Sequence, residues 1–255
     1  MQKKLVSGIF ALMLVLCACS MTEQNKDIQF AQQETVEETT LLPQTEHSVL
    51  YMPEYTTQQI WTYFEEVVLN MEYTDGEGDA TVVQKWERSI NYRIEGVPEH
   101  RDAQLLNEFC KQLNTVEGFP GIRAATALEQ NVTILFLHDA EFDTQFAHVL
   151  NGETADGAVQ FWYYNATNDI YSGRIGYRKD ADQKTRESVI PEEIVNLLGI
   201  SDTALRADSI TYQYGSDVTE LSAVDWAIIK LLYNPAIKCG MTAAQCEPII
   251  RELYY

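Results

Sequence analysis

Basic residues are scarce in this chain. Across 255 residues, 18 Lys and Arg stand against 38 Asp and Glu, giving a formal charge of −20 and a pI near 4.4. Such a surface repels phosphate backbones and anionic headgroups, which excludes nucleic acid as a partner. Histidine is scarcer still. His47, His100, His138 and His148 are scattered, and no two have the i, i+4 spacing that sets two imidazoles on one helix face. A zinc hydrolase wants that pair. Also missing are a Gly-x-Ser-x-Gly turn, a phosphate-cradling glycine loop and a His-x-Glu deaminase motif. The string "HRDAQLLN" from His100 to Asn107 fits a kinase catalytic loop, but the glycine-rich loop, strand lysine and Asp-Phe-Gly that a kinase also needs are absent. Asp102 then reads as a first-turn acid favoured by a helix dipole. No internal repeat is visible.

What is present begins with Lys3, Lys4 and "LVSGIFALMLVLCACS", a basic start and an apolar run too short for a comfortable membrane span. It reads as an export signal. Its end, Leu16-Cys17-Ala18-Cys19, resembles the lipobox of bacterial lipoproteins. That resemblance implies removal of residues 1–18 and lipid attachment at Cys19, anchoring the chain to the outer face of the cell membrane. Two acyl chains supply the second hydrophobic signal that stable anchoring needs. The mature chain loses two basic residues and no acid, which leaves a charge of −22 and a field that attracts divalent cations and basic partners. Residues 19–50, rich in Gln, Glu and Thr, bury too little apolar area to offset ordering and read as a tether.

Cys110, Cys239 and Cys246 lie beyond the anchor. Cys110 sits at helical spacing from Leu106 and Leu113 and reads as a small buried hydrophobe rather than a catalytic thiol, with no His neighbour to activate it. Cys239 and Cys246 are spaced to pair across a turn and a helix start in an oxidising compartment.

Residues 51–255 read as one α+β domain. Thr56 or Thr57 caps a helix carrying Ile60, Trp61, Phe64, Val67, Val68 and Met71, broken by "TDGEGD". That loop fails the EF-hand template, with Ala80 and Trp86 where a glycine and a bidentate acid belong. Alternation of Trp86, Ile90, Tyr92 and Ile94 predicts one half-buried strand, and 101–116 a helix. Strands are expected at 120–125, "NVTILFL", "AVQFWYY" and "SGRIGYR", then a helix over 191–198. Ser222-x-x-Asp225 and Thr242-x-x-Gln245 are capping boxes for two closing helices, the second of which Pro248 should kink or delay. The run Phe161-Trp162-Tyr163-Tyr164 either presses into the core or lines a groove for peptide or glycan.

The polar face of "PEEIVNLLGISD" carries the candidate site. Helix spacing stacks Glu192 on Asn196 with Glu193 beside them, and Gly199 lets Asp202 return toward that face. The pattern resembles the metzincin zinc proteases, whose motif is His-Glu-x-x-His-x-x-Gly-x-x-His/Asp. Glu192 and Asn196 stand where two His ligands would be, Glu193 matches the general base, Gly199 the turn glycine and Asp202 the third ligand. Ser209-Ile210-Thr211 resembles the downstream Met-containing turn, with Thr211 in place of methionine, and "LSAVDWAIIKLLY" the helix after it. The stretch 186–250 is also similar to exported bacterial domains of unknown function, through Glu192-Glu193, Gly199, Asp202, "LLYNP" and Gly240-Met241-Thr242. These resemblances imply a metzincin-like α+β domain with a mixed twisted sheet packed against helices and a helical C-terminal part.

Zinc needs neutral imidazole nitrogens to hold it and lower the pKa of its water. The expectation is therefore a non-catalytic domain without cofactor, binding a peptide, glycan or protein partner at the cell envelope. The alternative is a metal-dependent hydrolase in which Glu192, Asn196 and Asp202 hold a hard cation and Glu193 is the base.

Overall fold

In the computed structural model, residues 50–69, 82–215 and 218–255 are described, within a unit spanning Thr45–Tyr255. The export signal, Cys19, His47, the tether (but for its last residue) and the "TDGEGD" loop lie outside the described residues.

Thr56 caps α1 (Thr57–Phe64), accepting from the Gln59 amide, and a π-helical turn, Glu65–Leu69, continues it. The alternating strand divides in two. β1 (Lys85–Trp86) and β2 (Ile90–Glu95) are separated by 87–89 and pair with different neighbours. A period of two cannot show that break, because Trp86 and Ile90 remain buried on either side of it.

After α2 (His100–Leu113) come β3 (Ile122–Ala124), β4 (Val132–Leu137), α3 (Asp139–Leu150), β5 (Gly157–Tyr163) and β6 (Asp169–Arg178). The sheet runs β1-β6-β4-β2-β3, all parallel, with β5 added antiparallel to β6. Helices cover both faces, as parallel strands require. In β4, Ile134 and Phe136 face the main core, while Leu135 and Leu137 face a smaller cluster with Phe142 and Phe146 of α3. Helix α3 escapes the sequence pattern because those two phenylalanines are its only buried residues.

Helix α4 (Gln183–Leu197) starts eight residues before the expected 191, capped by Asp182, so Pro191 lies inside it. Ser188 and Ile190 are buried ahead of the proline, and that packing holds the first turns in place. α5 (Ala223–Tyr233) and α6 (Ala243–Tyr254) close the chain behind both capping boxes, and Pro248 does not delay the start of α6. The fold is thus a mixed α/β domain with a mostly parallel six-stranded sheet and helices at the C-terminus. No described helix is long and apolar enough to cross a membrane.

Candidate functional site

Three structural devices bring the predicted polar face together. The C-terminal carbonyls of α4 are taken up by buried side chains, Trp86 Nε1 donating to Leu197 at 2.8 Å and the Tyr233 hydroxyl to Leu198 at 3.0 Å. Such partners end a buried helix without orphaned carbonyls. Gly199 follows at φ +96°, where a Cβ would lie 2.1 Å from the Gln84 carbonyl oxygen. The returning chain is then tied to the π-helical turn. Ser201 N–H donates to Val67 O at 2.7 Å, and Glu66 accepts from Thr203 Oγ1 at 2.7 Å and Ala204 N–H at 2.9 Å. These ties place Asp202 opposite Asn196, whose Nδ2 donates to Asp202 Oδ1 at 3.0 Å.

Gly199→Ala tests the turn. It combines a left-handed backbone with a backbone clash and should cost about 2–3 kcal/mol in urea unfolding. Gly152→Ala, at φ +88° with nothing within 4 Å, should cost only about 1 kcal/mol. Equal losses would show that space at Gly199 is not the constraint.

Glu193 is 7 % exposed and lies against β5, where a Cβ on Gly157 would come 2.5 Å from its Oε1. Burial, then Glu192, then Asp202 push the Glu193 carboxyl well above its ordinary range. Burial and then Asp202 push Glu192 up to about 8. Like charges in a desolvated site oppose ionisation, so both carboxyls are driven toward their protonated forms. Asn196 Oδ1 is buried without a donor, and a neutral carboxyl carries the kind of proton it lacks.

This donor set does not fit zinc. It offers carboxyls and one amide, with no imidazole, and burial opposes the ionisation of Glu192 and Glu193, whereas metal binding requires deprotonated ligands. Among the described residues, no group of three or more His, Cys, Asp or Glu is placed to hold a metal ion. His100 opens α2, His138 precedes α3 and bonds Asp180 at 2.8 Å, and His148 bonds Gln160 at 3.2 Å.

The other candidates separate. Asp102 is fully buried and accepts from Arg186 Nε at 3.0 Å and Gln183 Nε2 at 3.1 Å, joining α2 to α4 in addition to its place in the first turn. Cys110 is buried, its thiol pushed up to about 12 by that burial. Cys239 and Cys246 are free thiols, and Cys239 Sγ reaches Lys85 O at 3.5 Å. In the aromatic run, Phe161 and Tyr163 pack on the core, while Trp162 and Tyr164 are 40 % and 45 % exposed.

Residues 57–252 match a family described as Protein of unknown function (DUF2927). The chain belongs to this family. The DUF2927 match runs from the first residue of α1 nearly to the end of α6, well beyond the 186–250 stretch that carries the sequence resemblance. Glu66 and Gly157, which the sequence reading did not single out, and Val67, read there only as an apolar helix position, therefore fall inside the DUF2927 domain with the polar face they support. No curated protein matches the chain.

Proposed function

We propose that this is a lipid-anchored extracytoplasmic protein whose metzincin-like domain is non-catalytic and binds a peptide, glycan or protein partner in the cleft beside α4. The observation that carries the reading is the chemistry at the metzincin-equivalent positions. Glu192, Glu193, Asn196 and Asp202 are grouped by α4 and its turn, but burial and two acidic neighbours push Glu193 toward its neutral form. A base that retains its own proton at working pH cannot take one from water. Partner binding draws support from β5, which among the described residues pairs only with β6 and exposes Trp162 beside that unpaired edge. An open strand edge with aromatic side chains is a receptive surface for an extended chain.

The test uses the purified full chain. Elemental analysis should find no stoichiometric metal, Zn²⁺ or Ca²⁺ should leave the melting temperature unchanged, and casein should survive incubation. A metal at 100 times its Kd would add about 2.7 kcal/mol. Such a rise, lost in Glu192→Ala, together with chelator-sensitive cleavage, would establish the hydrolase instead. Extended peptides and cell-wall glycan fragments should perturb the β5 amides in NMR spectra, and Trp162→Ala should weaken them; a silent β5 would remove the cleft reading.

A further inference from the structure

A second concavity lies between α2, α4 and the segment entering α5, and it uses none of Glu192, Glu193, Asn196 or Asp202. Its volume is about 260 Å³. That falls below the roughly 300–1,000 Å³ of small-molecule sites, and it suits one inserted side chain of a larger partner. Leu105, Phe109, Pro191, Leu221 and Trp226 make the apolar wall. The Phe109 and Trp226 rings meet at 56° with centroids 5.9 Å apart, forming a corner of π faces.

The polar rim has one sign in excess. Arg101 is paired with Glu187 at 3.1 Å, which leaves Glu108 and Glu220, both exposed, as the uncompensated charges among the lining residues. One apolar wall with an aromatic corner, facing a more extensive polar lining that includes two carboxylates, matches a flexible methylene stem ending in a cation. The whole chain, at −20, draws such a group in.

We propose that this pocket is an anchor for a lysine or arginine side chain in a basic segment of a protein partner. The cation sits over Trp226 and between Glu108 and Glu220, and its stem lies along Leu105 and Leu221. The inference stands apart from the α4 cleft, because its variants touch no residue there.

The probe is an acetylated, amidated pentapeptide with a central lysine flanked by alanines, titrated into the full chain while the Trp226 indole N–H is followed by NMR. We expect a saturable shift. Norleucine or acetyllysine at the centre should bind at least about tenfold more weakly, since both keep the stem and lose the charge. Glu108→Gln with Glu220→Gln should weaken the lysine peptide at least about fivefold, while Glu129→Gln with Glu141→Gln should change it less than about twofold. Equal effects from the two pairs would reduce the attraction to net charge and overturn the proposal. So would equal binding of norleucine, or butylammonium binding as tightly as the peptide, which would make the site one for free amines. The glutamate pairs are on exposed surface, so the test does not depend on a Trp226 variant that disturbs its packing on Phe109.

Discussion

Replacing Glu192 and Glu193 together by glutamine is expected to leave stability unchanged at pH 4 and to raise it by at least about 4 kcal/mol at pH 8. Each pKa unit is worth about 1.36 kcal/mol. Glu192 alone moves from 4.5 to about 8, and Glu193 moves in the same direction. An acid whose pKa is higher folded than unfolded binds more protons in the native state. Its contribution therefore favours folding least at high pH, and stability falls as pH rises from about 4.5 through the folded value. Glutamine mimics the protonated acid and removes that dependence. Urea unfolding at pH 4, 6 and 8 in the presence of chelator should give a sloping profile for the native sequence and a flatter one for the variant. A constant offset between the two profiles would show that both acids are ionised in the folded protein, and would return Glu193 to contention as a base.

Asp225→Ala should cost about 4 kcal/mol, a large loss for one side chain. Asp225 is 4 % exposed and accepts four hydrogen bonds. Tyr63 and Ser209 hydroxyls donate to Oδ1 at 3.0 and 2.8 Å, and the Ile210 and Ser222 amides donate to Oδ2 at 3.3 and 2.9 Å. One carboxylate thereby joins α1, the turn at 209–211 and the start of α5. Its removal strands three buried donors and the part-buried Ser222 amide, each of which carries a desolvation cost. Asp225→Asn keeps one oxygen but turns an amide N–H₂ toward the donors it cannot accept from, for a loss of about 2–3 kcal/mol. Ser209→Ala removes one donor and should cost about 1 kcal/mol. Denaturant midpoints in that order support a network centred on the carboxylate, whereas three equal midpoints would mean that the donors find other partners.

Asp225 also bears on the site. Thr203, next to Asp202, is bridged to the end of the 209–211 turn, its N–H donating to Thr211 O at 2.9 Å. Loosening the turn loosens Asp202. The sequence announces half of this arrangement, since Ser222-x-x-Asp225 is legible as a capping box. The other half, Tyr63 reaching across 162 positions of chain, has no local signature.

The same division runs through the fold. Helices with two or more apolar positions per turn and strands bounded by turn residues are legible because period and punctuation are local. The capping boxes, β3 to β6 and the turn glycine at Gly199 belong to that class. Helix α3 and the first half of α4 do not. The former rests on one pair of phenylalanines, and the latter runs through a proline that local rules treat as a start. The break between β1 and β2 is invisible locally because both strands keep the same alternation and differ only in which neighbour they join.

For the site, residue identity alone determined which ligands one helix can offer: no two histidines stand four apart, so an imidazole pair on a single helix face is missing, and helical spacing already stacks Glu192 on Asn196. Tertiary structure decided the protonation of those acids, because desolvation depends on what covers them. Glu193 is covered by Gly157, from a strand 36 positions earlier. It also decided where Asp202 sits, since the Glu66 and Val67 contacts that hold its turn come from the N-terminal end of the domain. Interactions set by spacing travel with the chain, whereas burial and like-charge proximity exist only after distant segments have packed.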